Sequence, residues 1–530
     1  MTTPRTPSRR LALSPLEARD NPAGSVAATF SGGVLTLTGD AFANAVQISA
    51  VPDGSGADVV LTGLDDTAID GPTEFEGVRS IRANLKGGAD AVSADPGAAF
   101  VLRGSLMLDL GDGDNTVDLQ PADQLALGGL TVRAADGADT VKLVGPEGGM
   151  NRTIGALDLS YGPGNSTTDL AGVHIVGRLA VAAGEGDDAL TTEDVRVGRP
   201  GPGPGNQIGS VQVNGGKGAL TVTAESSAFP ATTVSARGAV ALSATDGSFA
   251  ALAATSPADA QVELTSTPVR RDLTVTAGPD GAAGVALSGE GTSTGRLTVS
   301  GGTAEATIAD SPLAFVGGLT VTGRTEAEFA ADGSAVQVGG PAAVRATAGT
   351  ASLSAGGERV TFLKSLIVSG NGTDVSFDTT ATGTDMSAVH GDFIVTGGKQ
   401  SDTVKATENF RVGGDVRLAL GGGDNVVALG GEAAALLIGG RLDVLGGEGA
   451  DEMTLTRLIA NGPVSIVTGG GADTVGIQGA SVYRRSVFID QGAGDDALAI
   501  GTESGGVVFT GPVTIRQGPG ADTLAVEASD

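Results

Sequence analysis

The chain has 530 residues, of which 87 are glycine and none is cysteine or tryptophan, and its formal net charge is −29. The absence of cysteine excludes disulfides, thiolate metal sites and thiol nucleophiles. The negative charge makes nucleic acid and anionic membrane surfaces poor partners and makes cations natural ones.

Residues 1–24 are expected to form a mobile N-terminal lead. Their one apolar stretch, residues 11–16, is interrupted by Ser14 and Pro15 and is shorter than the apolar region of an ordinary secretory signal. No run in the chain approaches the roughly 18 apolar residues of a membrane-spanning segment. The sequence therefore predicts no membrane span, and it leaves the export route unrecognised.

From residue 25 onward, apolar and polar residues alternate over short stretches, as at 33–39 and 45–49. This alternation is typical of half-buried strands. We assign residues 25–86 to the first coils of a repetitive fold, together with an irregular cap. Residues 87–197 continue the same alternating strand pattern, with acidic turns between the predicted strands.

Residues 198–209 contain three prolines within a glycine-rich stretch, which regular sheet pairing does not accommodate. This segment is expected to be a Gly/Pro loop or a soft boundary. The alternating strand pattern resumes over residues 210–397, where the turns have few acidic residues. Residues 398–530 form a second acidic block. Because the strands persist where the acids do not, the fold of the middle coils does not need those acids.

The acidic blocks repeat the pattern Gly-x-Gly-x-Asp-x-apolar, as at 469–475, 492–498 and 518–524. In the C-terminal block the aspartate-equivalent residues are separated by 23, 26, 22, 23 and 26 residues; they are Asp402, Asn425, Asp451, Asp473, Asp496 and Asp522. Short strands, no helical pattern and one motif every 22–26 residues predict an all-β chain folded as a right-handed parallel β-helix. The alternative, a sandwich or propeller, would require frequent hairpin turns, which are scarce here.

Residues 446–454 match every fixed position of G-G-x-G-x-D-x-U-x, through Gly446, Gly447, Gly449, Asp451 and Met453. The motif resembles the repeat of haemolysin-type (RTX) calcium-binding proteins, in which U is apolar. The other copies are degenerate, and they recur once per coil rather than every nine residues as in that family. The resemblance implies a bacterial surface-type β-solenoid that binds calcium at stacked turns.

In a parallel β-helix, equivalent turns stack, so that successive aspartates stand about 5 Å apart. Their repulsion, roughly 1 kcal/mol per pair in water and more in the protein, favours neutralisation by Ca²⁺, which binds carboxylate and carbonyl oxygens. The candidate calcium ligands are Asp90, Asp139, Asp188, Asp451, Asp473, Asp496 and Asp522. The simpler alternative is that Asp and Asn are capping residues of these corners, since Asn115 and Asn425 occupy equivalent positions.

The function predicted from the sequence is that of a non-catalytic, exported or cell-surface bacterial protein with a structural or adhesive role. Its expected partners are calcium ions and cell-surface or matrix components. The alternative is a carbohydrate-active β-helix enzyme, a polysaccharide lyase or hydrolase, whose groove would combine carboxylates, a basic residue and an exposed aromatic. The absence of Trp and the presence of only two Tyr argue against that alternative. An intracellular scaffold is a third interpretation.

Overall fold

The protein folds as a parallel β-solenoid of about 18 turns, in a computed structural model that describes residues 24–146, 152–200, 207–309, 313–332, 335–379, 386–406, 409–432, 434–501 and 505–527. The described residues contain strands and turns but no helix, and hence no helix that crosses a bilayer. The predicted all-β solenoid is confirmed. The prediction of a mobile lead concerns residues that, apart from Gly24, lie outside the described ones.

The strands are numbered in chain order. The cap and the first acidic block contain β1 (Ser25–Ser31), β2 (Val34–Thr38), β3 (Ala45–Pro52), β4 (Ala57–Leu64), β5 (Ala68–Asp70), β6 (Glu74–Val78), β7 (Ser80–Asn84), β8 (Ala91–Ala94), β9 (Phe100–Gly111), β10 (Thr116–Leu119), β11 (Leu125–Ala134), β12 (Thr140–Val144), β13 (Arg152–Ile154), β14 (Leu157–Ser160), β15 (Thr167–Ala171), β16 (His174–Ile175), β17 (Arg178–Ala182), β18 (Asp188–Glu193), β19 (Arg196–Val197), β20 (Arg199–Pro200) and β21 (Gln207–Ile208).

The middle coils contain β22 (Ser210–Asn214), β23 (Leu220–Glu225), β24 (Ala228–Ser235), β25 (Val240–Thr245), β26 (Ser248–Thr255), β27 (Ala260–Thr265), β28 (Val269–Thr276), β29 (Ala282–Ser288), β30 (Ser293–Ile308), β31 (Leu313–Ala331), β32 (Ala335–Val338), β33 (Ala342–Ala346), β34 (Thr350–Gly357), β35 (Arg359–Phe362), β36 (Leu366–Ser369), β37 (Gly372–Thr379), β38 (Ser387–Val389) and β39 (Phe393–Thr396).

The C-terminal block contains β40 (Thr403–Ala406), β41 (Phe410–Val412), β42 (Val416–Ala419), β43 (Val426–Leu429), β44 (Leu436–Ile438), β45 (Leu442–Leu445), β46 (Glu452–Thr456), β47 (Leu458–Ala460), β48 (Val464–Val467), β49 (Thr474–Gln478), β50 (Val482–Tyr483), β51 (Val487–Asp490), β52 (Ala497–Ile500), β53 (Val508–Phe509), β54 (Val513–Arg516) and β55 (Thr523–Val526).

Each regular coil contributes one strand to each of three parallel sheets. In the C-terminal block, sheet 1 runs β40, β43, β46, β49, β52, β55 and follows the Gly-Asp corner. Sheet 2 runs β41, β44, β47, β50, β53, and sheet 3 runs β42, β45, β48, β51, β54. Coil lengths, measured between paired residues, extend from 20 residues between Leu220 and Val240 to 32 between Asp188 and Leu220.

The core is a continuous apolar column inside the three sheets, because every second residue of a strand points inward. Phe362, Phe377, Phe393 and Phe410 are at most 1 % exposed and contact one another with ring centroids 4.2–6.5 Å apart. The core therefore grows with each coil, as expected for a solenoid.

The N-terminal coils are covered by antiparallel strands. β1 pairs with β2, β4 pairs with β3, and β6 pairs with β4, all antiparallel. These strands cover the first edges of sheets 1 and 3, where a parallel solenoid would otherwise present unpaired backbone groups.

The Gly/Pro segment projects from the solenoid as a short antiparallel pair, β20 with β21. The strands on either side of it remain stacked, since β17 pairs with β22 and β18 pairs with β23. Residues 201–206 lie outside the described part of the chain.

Candidate functional site: an interior ladder of polar residues

Six of the seven predicted calcium ligands point into the corner of the core that precedes sheet 1. Asp90, Asp139, Asp188, Asp451, Asp473 and Asp496 are all at most 4 % exposed. Asp522 occupies the same position in the last coil and is half-buried. The structure therefore places them in one line, one residue per coil, within each acidic block.

The side chains in this line accept hydrogen bonds from the backbone of the preceding coil. The Asp451 N–H donates to Asp473 Oδ1 at 2.9 Å, and the Asp473 N–H donates to Asp496 Oδ1 at 2.9 Å. The remaining bonds of this kind link Asn44 to Asp90, Asp90 to Asn115, Asn115 to Asp139, Ser166 to Asp188, Thr373 to Asp402, Asp402 to Asn425, Asn425 to Asp451 and Asp496 to Asp522, at 2.6–3.2 Å. We call these residues the interior ladder.

Each of two ladder asparagines donates a side-chain hydrogen bond to the aspartate of the next coil, in addition to the backbone hydrogen bond. Asn115 Nδ2 donates to Asp139 Oδ1 at 2.9 Å, and Asn425 Nδ2 donates to Asp451 Oδ1 at 2.8 Å. Asn115 Nδ2 also donates to the Gly113 carbonyl at 2.7 Å. The amide of Asn115 thus bonds both the local turn and the neighbouring coil, which explains why Asn can replace Asp at this position.

The middle coils fill the same position with apolar residues. Leu220 is the in-register partner of Asp188, and Val240, Ala260, Ala283, Ala304, Ala327 and Ala351 continue the column up to Thr373. There a backbone carbonyl replaces the side-chain acceptor, since the Leu220 N–H donates to the Ala239 carbonyl at 2.8 Å. The ladder aspartate therefore supplies an acceptor at the glycine corner, where the middle coils use a backbone carbonyl.

In several coils an exposed aspartate directly precedes the ladder residue. Its side chain accepts a hydrogen bond from the following coil, whereas the ladder residue accepts one from the preceding coil. Asp424 Oδ1 accepts from the Ala450 N–H and Asp495 Oδ1 from the Ala521 N–H, both at 2.8 Å and both in the following coil. Asp114 and Asp187 bond Ala138 and Ala219 in the same way. A pair such as Asp495–Asp496 therefore links its own coil to the coils on both sides.

The second carboxylate oxygen of most ladder aspartates is buried without a hydrogen-bond partner. This holds for Oδ2 of Asp90, Asp139, Asp188, Asp402, Asp473 and Asp496. Burial raises the pKa of Asp90 and of Asp402 from 3.8 to about 6, because the charged form loses water without gaining full compensation. Burial also raises the pKa of Asp139, Asp188, Asp451 and Asp496.

Glycine is required five residues before two of these aspartates. A Cβ on Gly397 would overlap Asp402 Oδ2, and a Cβ on Gly446 would overlap Asp451 Oδ2 and the Thr468 carbonyl. The carboxylate thus occupies the space that a side chain at the glycine would take. This contact explains the first glycine of the motif better than turn conformation alone does.

The ladder geometry bears directly on the calcium hypothesis. One oxygen of each ladder aspartate is already engaged by a backbone N–H, and Asp451 Oδ2 also accepts from the Gly447 N–H at 3.3 Å. Each ladder aspartate therefore offers at most one unpartnered oxygen. Ca²⁺ takes six to eight oxygens, and across the described ranges no three His, Cys, Asp or Glu side chains form a group that could hold a metal ion. Calcium binding stays a prediction, with the Oδ2 atoms as its candidate ligands.

Sequence reasoning missed three members of the ladder, Asn44, Ser166 and Thr373. Ser166 lies 22 residues before Asp188, so the repeat period is the signal that could have found it. Thr373 lies 29 residues before Asp402, which is outside that period. Asn44 lies 46 residues before Asp90 because the strands of the cap intervene. No period in the sequence indicates it.

The interior ladder itself is inaccessible to an external substrate, because its carboxylates are enclosed by the sheets. We consider three shallow depressions on the outer faces of the described residues. One of about 850 Å³ lies on the cap, with Phe30 and Phe75 beside Asp58, Glu74 and Glu76. It combines aromatic and acidic residues but no basic one.

The other two depressions lie on the flanks. One of about 280 Å³ on sheet 1 contains Gln261, Glu263 and Glu305 around Gly284, and it has no basic or aromatic residue. One of about 240 Å³ on sheet 3 contains Arg82, Asp109 and Arg133 without an aromatic. None of the three combines the groups that a polysaccharide lyase or hydrolase would need.

Comparison of the chain with protein-family models, with curated proteins and with solved structures gives no match. The resemblance to RTX repeats therefore stays a prediction.

Proposed function

We propose that the protein is a non-catalytic structural rod, exported or displayed on a bacterial cell surface, that spaces or presents adhesive surfaces. The observation that supports this function best is the unbroken stacking of about 18 turns around one core. At about 4.8 Å per coil, the solenoid is about 85 Å long.

The bonding between coils favours a stiff rod. Bending would stretch backbone bonds in three sheets at once, and at the acidic corners it would also stretch the side-chain bonds in both directions, such as Asp473 to Asp496 and Asp424 to Ala450. The acidic residues support stacking from inside, so their number does not require a catalytic explanation.

The adhesive part of the proposal rests on the exposed acids of the same corners. Asp114, Asp187, Asp424 and Asp495 lie outside the core, next to interior-ladder positions. In a chain with a formal charge of −29 they form repeated anionic positions along one edge. Partners of matching chemistry are cationic surface or matrix components and calcium ions.

The test combines location with chemistry. Antibodies against the folded chain should label intact producing cells, and protease added to those cells should remove the label. The purified chain, incubated with neutral and anionic polysaccharides, should release no reducing or unsaturated ends. A cytoplasmic location would contradict surface display. Product release that survives repurification would support the alternative of a carbohydrate-active enzyme.

A further inference from the structure

Outward-facing residues of three consecutive coils line the depression of about 240 Å³ on sheet 3. They belong to β7, β9 and β11, which pair side by side in parallel. Described coils lie on both sides of these strands, since β2 pairs with β7 and β14 pairs with β11. The depression is therefore a feature of the flank and not of either end of the solenoid. Its two rows are Arg82, Met107 and Thr131, and Asn84, Asp109 and Arg133. We call these six residues the flank depression.

The two arginines stand at opposite corners of the flank depression. Both Arg82 and Arg133 are exposed. Neither side chain forms a hydrogen bond or an ion pair with another residue of the described part of the chain. Two strand spacings and two residues along the strand separate them, which is roughly 12 Å between Cα atoms. Both guanidinium groups are therefore available to an anion, and a guanidinium binds a carboxylate through two parallel hydrogen bonds.

The charge around the flank depression differs from that of the whole chain. The chain has 61 acidic and 32 basic residues, but residues 77–89 contain Arg79, Arg82 and Lys86 and no acidic residue. Within the depression, two arginines face a single carboxylate, that of Asp109. The Debye length is about 8 Å at physiological ionic strength, so more distant acids are largely screened. The local excess of positive charge is complementary to an anion.

The central coil determines what kind of anion fits. Met107 is half-buried and lies in register beside Arg82, so it gives the floor an apolar surface. Asp109 lies in register beside Arg133, and its carboxylate accepts hydrogen bonds but does not donate them. A ligand that carries only negative oxygens would be repelled there. The three kinds of group together match a ligand with a carboxylate, hydroxyl donors and an apolar ring face.

A peptide matches the flank depression less well than a sugar does. β9 is paired on both sides, with β7 and with β11. Its backbone therefore has no free edge to which a peptide could add as a strand. A uronic acid unit of a polysaccharide combines a carboxylate, several hydroxyls and an apolar ring face in one small group.

We propose that the flank depression binds a short stretch of an acidic, uronate-containing polysaccharide. Carboxylates of the saccharide accept hydrogen bonds from Arg82 and Arg133, and a ring hydroxyl donates to Asp109. A sugar ring lies against Met107, and the polar side chains at the two remaining corners suit further hydroxyls. This inference names a partner class for the adhesive role proposed above, and it rests on that role only for its biological setting. Binding is measured on the purified chain, whereas surface display is tested on cells, so failure of one is distinguishable from failure of the other.

The experiment is isothermal titration calorimetry of the purified 530-residue chain with trigalacturonic acid as the probe. Binding is expected, and added salt should weaken it because the main contacts join opposite charges. The trimethyl ester of the probe keeps the hydroxyls and loses the negative charge. It should bind at least about 10-fold more weakly, since it lacks the charge-assisted hydrogen bonds.

Two variants assign the binding to the flank depression. The double variant Arg82→Gln/Arg133→Gln changes exposed side chains, so its fold should be retained, and it should weaken binding at least about 10-fold. A matched control is Arg296→Gln, because Arg296 is an exposed arginine on β30 in the middle coils, outside the depression. The control should bind the probe as the unchanged chain does.

Four results would overturn the proposal. They are no binding at low ionic strength, binding that the double variant leaves unchanged, equal binding of the trimethyl ester, and equal weakening by the control. Triglutamate serves as an acidic peptide of matching charge. If it binds as tightly as trigalacturonic acid and the double variant weakens both, the depression is a site for acidic peptides and its assignment to a saccharide is wrong.

Discussion

The interior ladder predicts opposite outcomes for two substitutions of Asp473. This aspartate accepts the Asp451 N–H at 2.9 Å in a buried corner. Asp473→Ala removes the acceptor and leaves that N–H unsatisfied, which costs about 1–3 kcal/mol. Asp473→Asn retains an acceptor oxygen, and its amide is placed to donate to Asp496, as Asn425 donates to Asp451. We expect the free energy of unfolding to change by less than about 1 kcal/mol for Asn.

A local measurement is preferable to a global one, since the coils of a solenoid need not unfold together. Hydrogen exchange at the Asp451 amide reports the opening of this corner. A loss of about 2 kcal/mol corresponds to roughly 30-fold faster exchange in the Ala variant, provided that exchange is limited by the opening equilibrium. The Asn variant should exchange at nearly the original rate.

Two results would refute this reasoning. If Asp473→Ala is as mild as Asp473→Asn, the hydrogen bond to the preceding coil contributes nothing to stability. If Asp473→Asn is as harmful as Asp473→Ala, the negative charge itself is required, which would favour a bound cation at the corner. A matched control is Asp495→Asn, which keeps the acceptor for Ala521 in the exposed position.

Three further predictions concern pH, calcium and glycine. Because burial raises the pKa of Asp90 and Asp402 from 3.8 to about 6, the folded state binds protons more tightly than the unfolded state between those values. The free energy of unfolding should therefore rise as the pH falls from about 6 to 4, by up to about 3 kcal/mol per group. In urea unfolding, Asp402→Asn should make that rise smaller. A free energy of unfolding that falls over this pH range contradicts the prediction. The calcium hypothesis predicts a higher melting temperature with excess calcium than with chelator, and coincident curves at physiological salt would count against it. Gly446→Ala should destabilise the fold by about 2 kcal/mol or more because its Cβ overlaps Asp451, whereas Gly470→Ala meets only the Glu448 side chain and should be tolerated in thermal unfolding.

The solenoid was predictable because its two periods are both present in the sequence. Alternation within strands identifies the inward face, as at Leu130 and Val132, which are at most 1 % exposed. The spacing of the Gly-x-Gly-x-Asp motifs identifies the coil. The cap was predicted only as irregular, since its antiparallel strands have no repeat and the pairing of β4 with β6 is not apparent from local pattern.

The orientation of the acids was not predictable from spacing. In a pair such as Asp495–Asp496, both residues stand in a corner and both are carboxylates, yet one is exposed and the other is 1 % exposed. Sequence reasoning placed stacked charges in the turns and inferred a cation to neutralise them. In the structure each buried aspartate accepts a backbone hydrogen bond, and burial itself favours the protonated form of most of them.

The middle coils show that the stacking of coils and the presence of a buried aspartate at the corner are separate features. Leu220 and Val240 occupy the ladder position in the middle coils, and there the backbone N–H of each donates to a backbone carbonyl of the next coil. The aspartates are therefore not needed to form coils. At the glycine corner they accept the hydrogen bond of a backbone N–H of the preceding coil that would otherwise be unpaired. In most ladder aspartates the carboxylate meets this requirement with its second oxygen buried and without a hydrogen-bond partner. A proton, a water or a cation would have to bind at that oxygen. Which of the three binds determines whether the aspartate is neutral or charged.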